Sequence, residues 1–274
     1  MADTKELPPP AAAEDDELKG SEAPLLDHLI ELRKRLIYSL AAIVVLFVIC
    51  AIFSSRIYDI LILPYAWGAG GIEKVEMIFT APQELFFTYM SVALFGAIFF
   101  AFPVIATQIY AFVAPGLYKK ERRAFLPYLI ATPIFFVLGA ALVYFAVTPM
   151  AMHFFLGMQQ SGEGTAQITL QTRTSEYLSF IMTLILAFGV CFQLPVILTL
   201  LARIELVNTA QLAKGRKYAI VGILAVAAFL TPPDPISQIG LSLPMYALYE
   251  LSILSVRWVE KQRAAKEAQA AKAA

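Results

Sequence analysis

Two carboxylates stand inside basic clusters where their chemistry is conspicuous. Glu31 lies in Pro24-Leu25-Leu26-Asp27-His28-Leu29-Ile30-Glu31-Leu32-Arg33-Lys34-Arg35-Leu36. Glu121 lies in Phe112-Val113-Ala114-Pro115-Gly116-Leu117-Tyr118-Lys119-Lys120-Glu121-Arg122-Arg123, the only acid among four cations. Each has a modest explanation. Glu31 can pair with Arg35 at i,i+4, worth a few tenths of a kcal/mol, and Glu121 can relieve the repulsion among its neighbours. If both lie on one surface, they also suit a ligand with two guanidinium groups, because each Arg can give two parallel N–H···O bonds to a carboxylate and Lys cannot. Two charge-assisted contacts would supply about 3–6 kcal/mol, or about 10²–10⁴ in discrimination. The surrounding Lys and Arg oppose a cationic ligand. Other chemistry is missing. There is no GxxxxGK[ST], HExxH or GxSxG. With only His28, His153, Cys50 and Cys191, no metal centre and no disulfide scaffold are expected.

The elements that position these residues follow from composition. The chain of 274 residues is 59% hydrophobic and 15% charged, against about 25% charged in soluble proteins. The 21 basic residues balance 21 acidic ones, so nothing suggests a nucleic-acid partner. Charge-free stretches run 36–55, 85–118, 124–162, 177–202, 218–233 and 235–249. A bilayer core takes about 20 apolar residues of helix. Each of the first four stretches holds one span; the third cannot hold two once Pro149, Gly157 and the turn Gln159-Gln160-Ser161-Gly162 are set aside. The reading is an all-α membrane protein with six transmembrane helices, near 33–53, 85–113, 124–148, 177–201, 217–230 and 236–256. The fifth and sixth are short, and a hydrophobic length of about 20 Å favours local bilayer thinning or packing against other helices.

Lys and Arg set the orientation. With both termini cytoplasmic, 18 of the 21 basic residues fall inside and Arg56, Lys74 and Arg173 fall outside. Glu31 precedes the first span and Glu121 follows the second, so both are expected on the cytoplasmic face. Leu25, Leu29, Leu32 and Leu36 recur at helical spacing as one apolar face, with Asp27, Glu31 and Lys34 opposite. The helix enters the membrane with Glu31 at headgroup level.

Other residues have local readings. Gln193, midway along the fourth span before Pro195, either hydrogen-bonds another helix or faces a watery cavity. Glu250 can snorkel toward Arg257. Asp234 as N-cap with Pro235 at N1 starts the sixth helix. His153 marks the outer end of the third span. The stretch 54–82, with Pro64, Tyr65 and Trp67, suits an ordered helix lying at the outer interface. Pro82 sits in the first turn of the second span with Gln83 placed to cap, and Pro115-Gly116 ends that span. Residues 1–24 read as a disordered acidic and Pro-rich arm without a signal peptide, 25–256 as the membrane domain, and 257–274 as a cytoplasmic tail, a frayed helix in water.

In this order, the residues resemble the TatC family, the multispanning receptor subunit of the twin-arginine protein translocase. The resemblance is carried by the two charged stretches around Glu31 and Glu121, by Leu178-Ser179-Phe180, and by Thr231-Pro232-Pro233-Asp234. It covers about 25–256 with the same six-helix layout. It implies that Glu31 and Glu121 contact the paired arginines of signal peptides on folded cargo, with Arg33, Phe112, Lys119 and Arg122 supporting the site and Pro64, Pro115 and Asp234 structural. It implies association with single-span TatA/TatB-type partners, self-association, residence in the cytoplasmic (inner) membrane, and transport on the proton-motive force without ATP. No enzyme activity, cofactor or metal is implied. Glu can stand at the position of Gln193 in the family; an amide cannot titrate, which argues against an obligatory proton relay there. The alternatives are an ion-coupled secondary transporter of a small solute, which should carry ionisable groups at mid-depth, and a membrane-bound enzyme, for which no constellation is present.

Overall fold

The structure, a computed structural model, describes residues 10–113, 126–159, 170–230 and 235–273. Within them the chain forms α1 (Pro10–Ile52), α2 (Ser54–Ala69), α3 (Glu84–Val113), α4 (Leu126–Leu142), α5 (Thr148–Gly157), α6 (Thr174–Cys191), α7 (Leu194–Arg203), α8 (Thr209–Leu230) and α9 (Pro235–Ala273). Five segments are long and apolar enough to cross a membrane: His28–Ile52, Glu84–Phe112, Pro127–Gly157, Thr174–Arg203 and Gln238–Ala265.

The first helix starts well before the expected boundary, so the segment read as a disordered arm is helical from Pro10. Pro suits a first helical turn, and Ala11 to Ala13 are the strongest helix formers. In the membrane-proximal part, Leu29, Leu36 and Leu40 are exposed whereas Glu31 and Arg35 are half-buried. The apolar stripe of α1 faces outward, as lipid contact requires, and its polar stripe turns toward α3, against which α1 packs.

The third crossing extends to Gly157 and does not stop near 148. Pro149 has no N–H to give and would crowd the carbonyl one turn back. Residues Val143–Val147 absorb this as a π turn, in which the Thr148 N–H reaches back five residues to the Val143 carbonyl. Pro195 acts more sharply. The helix breaks at Phe192 and Gln193 between α6 and α7, where the Gln193 N–H turns back to Val190 O (2.9 Å).

The last two helices are longer than expected. α9 runs to Ala273 with a membrane-length apolar segment, because Leu251 to Ser255 and Trp258-Val259 continue its apolar character past Glu250. The sixth helix is therefore not short. α8 spans 22 residues, of which only the part from Tyr218 onward is charge-free. Its early start follows a capping box, with Asn208 Oδ1 accepting the Gln211 N–H (2.8 Å) and Gln211 Oε1 accepting the Asn208 N–H (3.0 Å).

The core lies between α2, α3, α4 with its π turn, and α6. Tyr65, Val92, Val143, Leu178, Ile181, Leu184 and Phe188 are essentially inaccessible. α2 closes the end of this core opposite Glu31. It is held by Tyr144 OH donating to Ile60 O (2.7 Å), Tyr177 OH donating to Leu61 O (2.8 Å) and Tyr65 OH meeting Thr172 Oγ1 (3.1 Å). Pro64 is buried inside α2. A two-residue parallel ladder, β1 (Met77–Ile78) with β2 (Thr172–Arg173), ties the segments before α3 and before α6 together.

Candidate functional site

The membrane-proximal part of α1, from His28, lies against the end of α3. The His28 and Phe112 rings stack with centroids 4.2 Å apart and Arg35 reaches Gln108 one turn earlier on α3, so the two helices run antiparallel at this point. Tyr110 OH meets Thr132 Oγ1 (2.8 Å), and Arg203 lies over the Tyr128 ring (5.4 Å). One end of the bundle thus collects α1 around His28 and Glu31, the end of α3, the start of α4 and the end of α7.

Glu31 sits at this end. Its Oε1 accepts from Arg35 Nη2 (3.2 Å), one turn along, and both side chains are about one-third exposed. Arg35 Nη1 in turn donates to Gln108 Oε1 on α3 (3.3 Å). The buried Arg35 Nε has no partner. The i,i+4 pairing is therefore present, but it does more than hold a surface charge, since Arg35 docks on α3 and fixes Glu31 beside it. A carboxylate offers about four lone-pair sites, so Oε2 remains able to accept from another guanidinium. Arg33 is exposed and Phe112 is half-buried against His28. Glu121, Lys119, Arg122 and Pro115 lie outside the described residues, as does Asp234. The chain toward Glu121 leaves α3 at the end where Glu31 stands.

Gln193 is buried and its Nε2 donates to Thr132 O (3.1 Å) and Gly189 O (3.3 Å). The first bond joins α6–α7 to α4, which is the interhelical reading. Glu250 does not reach for Arg257. It takes a two-pronged contact from Arg216 on α8, Nε to Oε1 at 2.8 Å and Nη2 to Oε2 at 2.9 Å, with Tyr246 OH adding a third bond at 2.8 Å. The nearer partner wins because α8 and α9 pack side by side and the planar guanidinium matches a carboxylate edge.

Sequence reasoning missed a second polar cluster, at the opposite end. Glu84, not Gln83, serves the start of α3: its Oε2 accepts from the Thr80 N–H (2.8 Å) and from Arg173 Nη2 (3.2 Å), and its Oε1 from Ser175 (2.5 Å). Hydrogen bonding to Glu84 pushes the Arg173 pKa further above its ordinary value. The spacing Thr80…Glu84 carried a hint of this; the contribution of Arg173, 89 residues away, did not. Among the described residues no group of His, Cys, Asp and Glu could hold a metal.

Fold and site define a multispanning helical membrane protein with an anchored carboxylate at one end of its bundle. The profile of the Sec-independent protein translocase protein (TatC) matches residues 27–244. The Sec-independent protein translocase protein TatC of Magnetococcus marinus is 45% identical over 249 residues, covering 90% of this chain and 89% of its own. That of Escherichia coli K12 is 37% identical over 235 residues, covering 86% and 88%. The crystal structure of a twin arginine translocase receptor TatC superposes with a TM-score of 0.74 at 34% identity, over 85% of this chain and 99% of that one. This chain belongs to the TatC family of Sec-independent protein translocase proteins.

Proposed function

We propose that this chain is the receptor and scaffold of a twin-arginine translocation system in the cytoplasmic membrane. It binds signal peptides of folded proteins through Glu31 and Glu121, supported by Arg33, Phe112, Lys119 and Arg122. It crosses the membrane six times with both termini cytoplasmic, α8 being the crossing with the shortest apolar run, and Pro115 and Asp234 shape its turns. It assembles with TatA/TatB-type single-span proteins and with further copies of itself. Export runs on the proton-motive force, without an enzymatic step in this subunit. The observation that supports this reading is the half-buried Glu31, held by Arg35 one turn from the His28–Phe112 stack at the end of the bundle from which the chain continues toward Glu121, in a member of this family. The described spans hold a hydrogen-bonded amide at mid-depth rather than a set of ionisable groups, which disfavours a solute transporter.

The test is site-specific cross-linking to signal peptides carrying Arg-Arg or Lys-Lys. The Arg-Arg peptide labels positions beside Glu31 and Glu121, and Glu31→Ala and Glu121→Ala each weaken labelling by about tenfold or more, the loss of one charge-assisted contact. Equal labelling by both peptides, indifferent to the variants, would refute the assignment.

A further inference from the structure

Beneath α2 is a cavity of about 280 Å³, enclosed by α2, α3, α4 with its π turn, and α6. Its floor is buried core, Leu61, Phe95, Ala140 and Ile185. Its mouth is formed by Ile60, Phe100, Val137 and Phe145, each more than half exposed, so it opens on the outward face of the spans, where the bilayer lies. The lining is apolar throughout, since the Tyr144 hydroxyl is turned to the Ile60 carbonyl (2.7 Å). Water gains nothing in such a space, and an empty one would forfeit the dispersion contacts of every lining atom.

The helix above the cavity, α2, carries one cation. Arg56 precedes Ile57, which lines the cavity, and stands one helical turn before Ile60 on the same side of α2. It is exposed and has no ion-pair partner among the described residues; Asp59, also exposed, does not pair with it. Arg56 also belongs to the small basic set assigned to the outer face. Trp67 lies nearby, stacked on Phe145 (5.7 Å between centroids) and edge-on to Tyr144 (5.5 Å), an aromatic group suited to headgroup depth.

We propose that this cavity binds an acyl chain of an outer-leaflet anionic phospholipid, whose phosphate is held by Arg56. The occupant is a lipid because the mouth is continuous with the lipid-facing surface and the walls offer no polar contact, and it is an anionic one because Arg56, exposed and one turn before Ile60 on α2, complements a net negative headgroup. The site rests on the helices lying in a bilayer and is independent of the receptor role.

Trp67 reports on the site directly, with Trp258→Phe removing the other tryptophan. The full chain is reconstituted in phosphatidylcholine vesicles containing lipids brominated on their acyl chains. Brominated phosphatidylglycerol quenches Trp67 with an apparent affinity about fivefold above that of brominated phosphatidylcholine, the preference that one interfacial cation confers. Arg56→Gln removes this preference. Ala141→Phe, which fills the cavity from its wall, lowers quenching by both lipids; Val137→Phe at the open mouth does the same and serves should Ala141→Phe not insert. Equal quenching by the two headgroups in the parent protein, a preference that survives Arg56→Gln, or quenching unchanged by the filling variants would each overturn the site. Arg-Arg peptide labelling at the other end stays as in the parent, so this result and the receptor test can fail separately.

Discussion

Single side chains act here chiefly through the helix they fasten. Gln193 illustrates this. An amide can donate to the Thr132 carbonyl across the α4 contact, and Leu of similar volume cannot. Gln193→Leu should cost about 1 kcal/mol in a denaturation series in detergent, within the range for interhelical bonds in membranes, while leaving the helices inserted. The same α4–α6 contact depends on close backbone approach. A Cβ at Gly139 would lie 2.6 Å from the Phe188 carbonyl oxygen, so Gly139→Ala should destabilise by about 1–3 kcal/mol through overpacking. Gly222 in α8 has nothing within 4 Å of its would-be Cβ. Gly222→Ala should be neutral or stabilise by up to about 1 kcal/mol, and thermal unfolding of the two variants side by side separates a packing glycine from an idle one.

Among the elements, α2 carries the most consequence for its length. It cannot span a bilayer, yet its Tyr65 and Pro64 are among the most buried residues, and three tyrosine hydroxyls fasten it or its backbone to neighbouring segments. Its far end rests on α5 through Gly68, where a Cβ would fall 2.7 Å from both Met152 Cβ and Pro149 O. Gly68→Val should lift α2 from α5, shift Trp67 emission to the red and lower stability by about 1–3 kcal/mol. An unshifted spectrum would show that α2 is not seated there. α8 depends on outside support in another way: its first turn is held by its own capping box and by Glu260 of α9, which accepts both the N–H (2.8 Å) and the hydroxyl (2.5 Å) of Thr209.

For the whole molecule, the two ends have different work. One gathers Glu31, Phe112, Tyr128 and Arg203, and the other gathers Glu84, Arg173, Ser175 and α2. Six crossings require the loop at Gln159 and the loop at Asn208 to lie on opposite sides of the membrane. Single cysteines placed there, in a background with Cys50 and Cys191 replaced by serine, should react with a membrane-impermeant maleimide from opposite faces, Asn208→Cys from the cytoplasmic side. Labelling of both from one face would show that the segment Thr174–Arg203 does not cross and would remove the count of six.

Much of this was legible because hydrocarbon tolerates neither charge nor unpaired backbone, so the charge-free runs, their helical state and the Glu31–Arg35 pair could be taken from residue order alone. The start of α8 is also legible in the capping-box spacing of Asn208 and Gln211. What order could not decide was which groups meet across helices: Arg35 with Gln108, Glu84 with Arg173, Glu250 with Arg216, Gln193 with Thr132. Those pairings depend on rotation and depth of one helix against another, which glycines at 139 and 189 and the breaks at Pro149 and Pro195 set only once the helices pack. The sequence by itself determined that the chain is a set of apolar helices and where its charges interrupt them; only the tertiary structure decided which polar faces turn inward, because in a membrane the inside of the bundle is the less costly place for them.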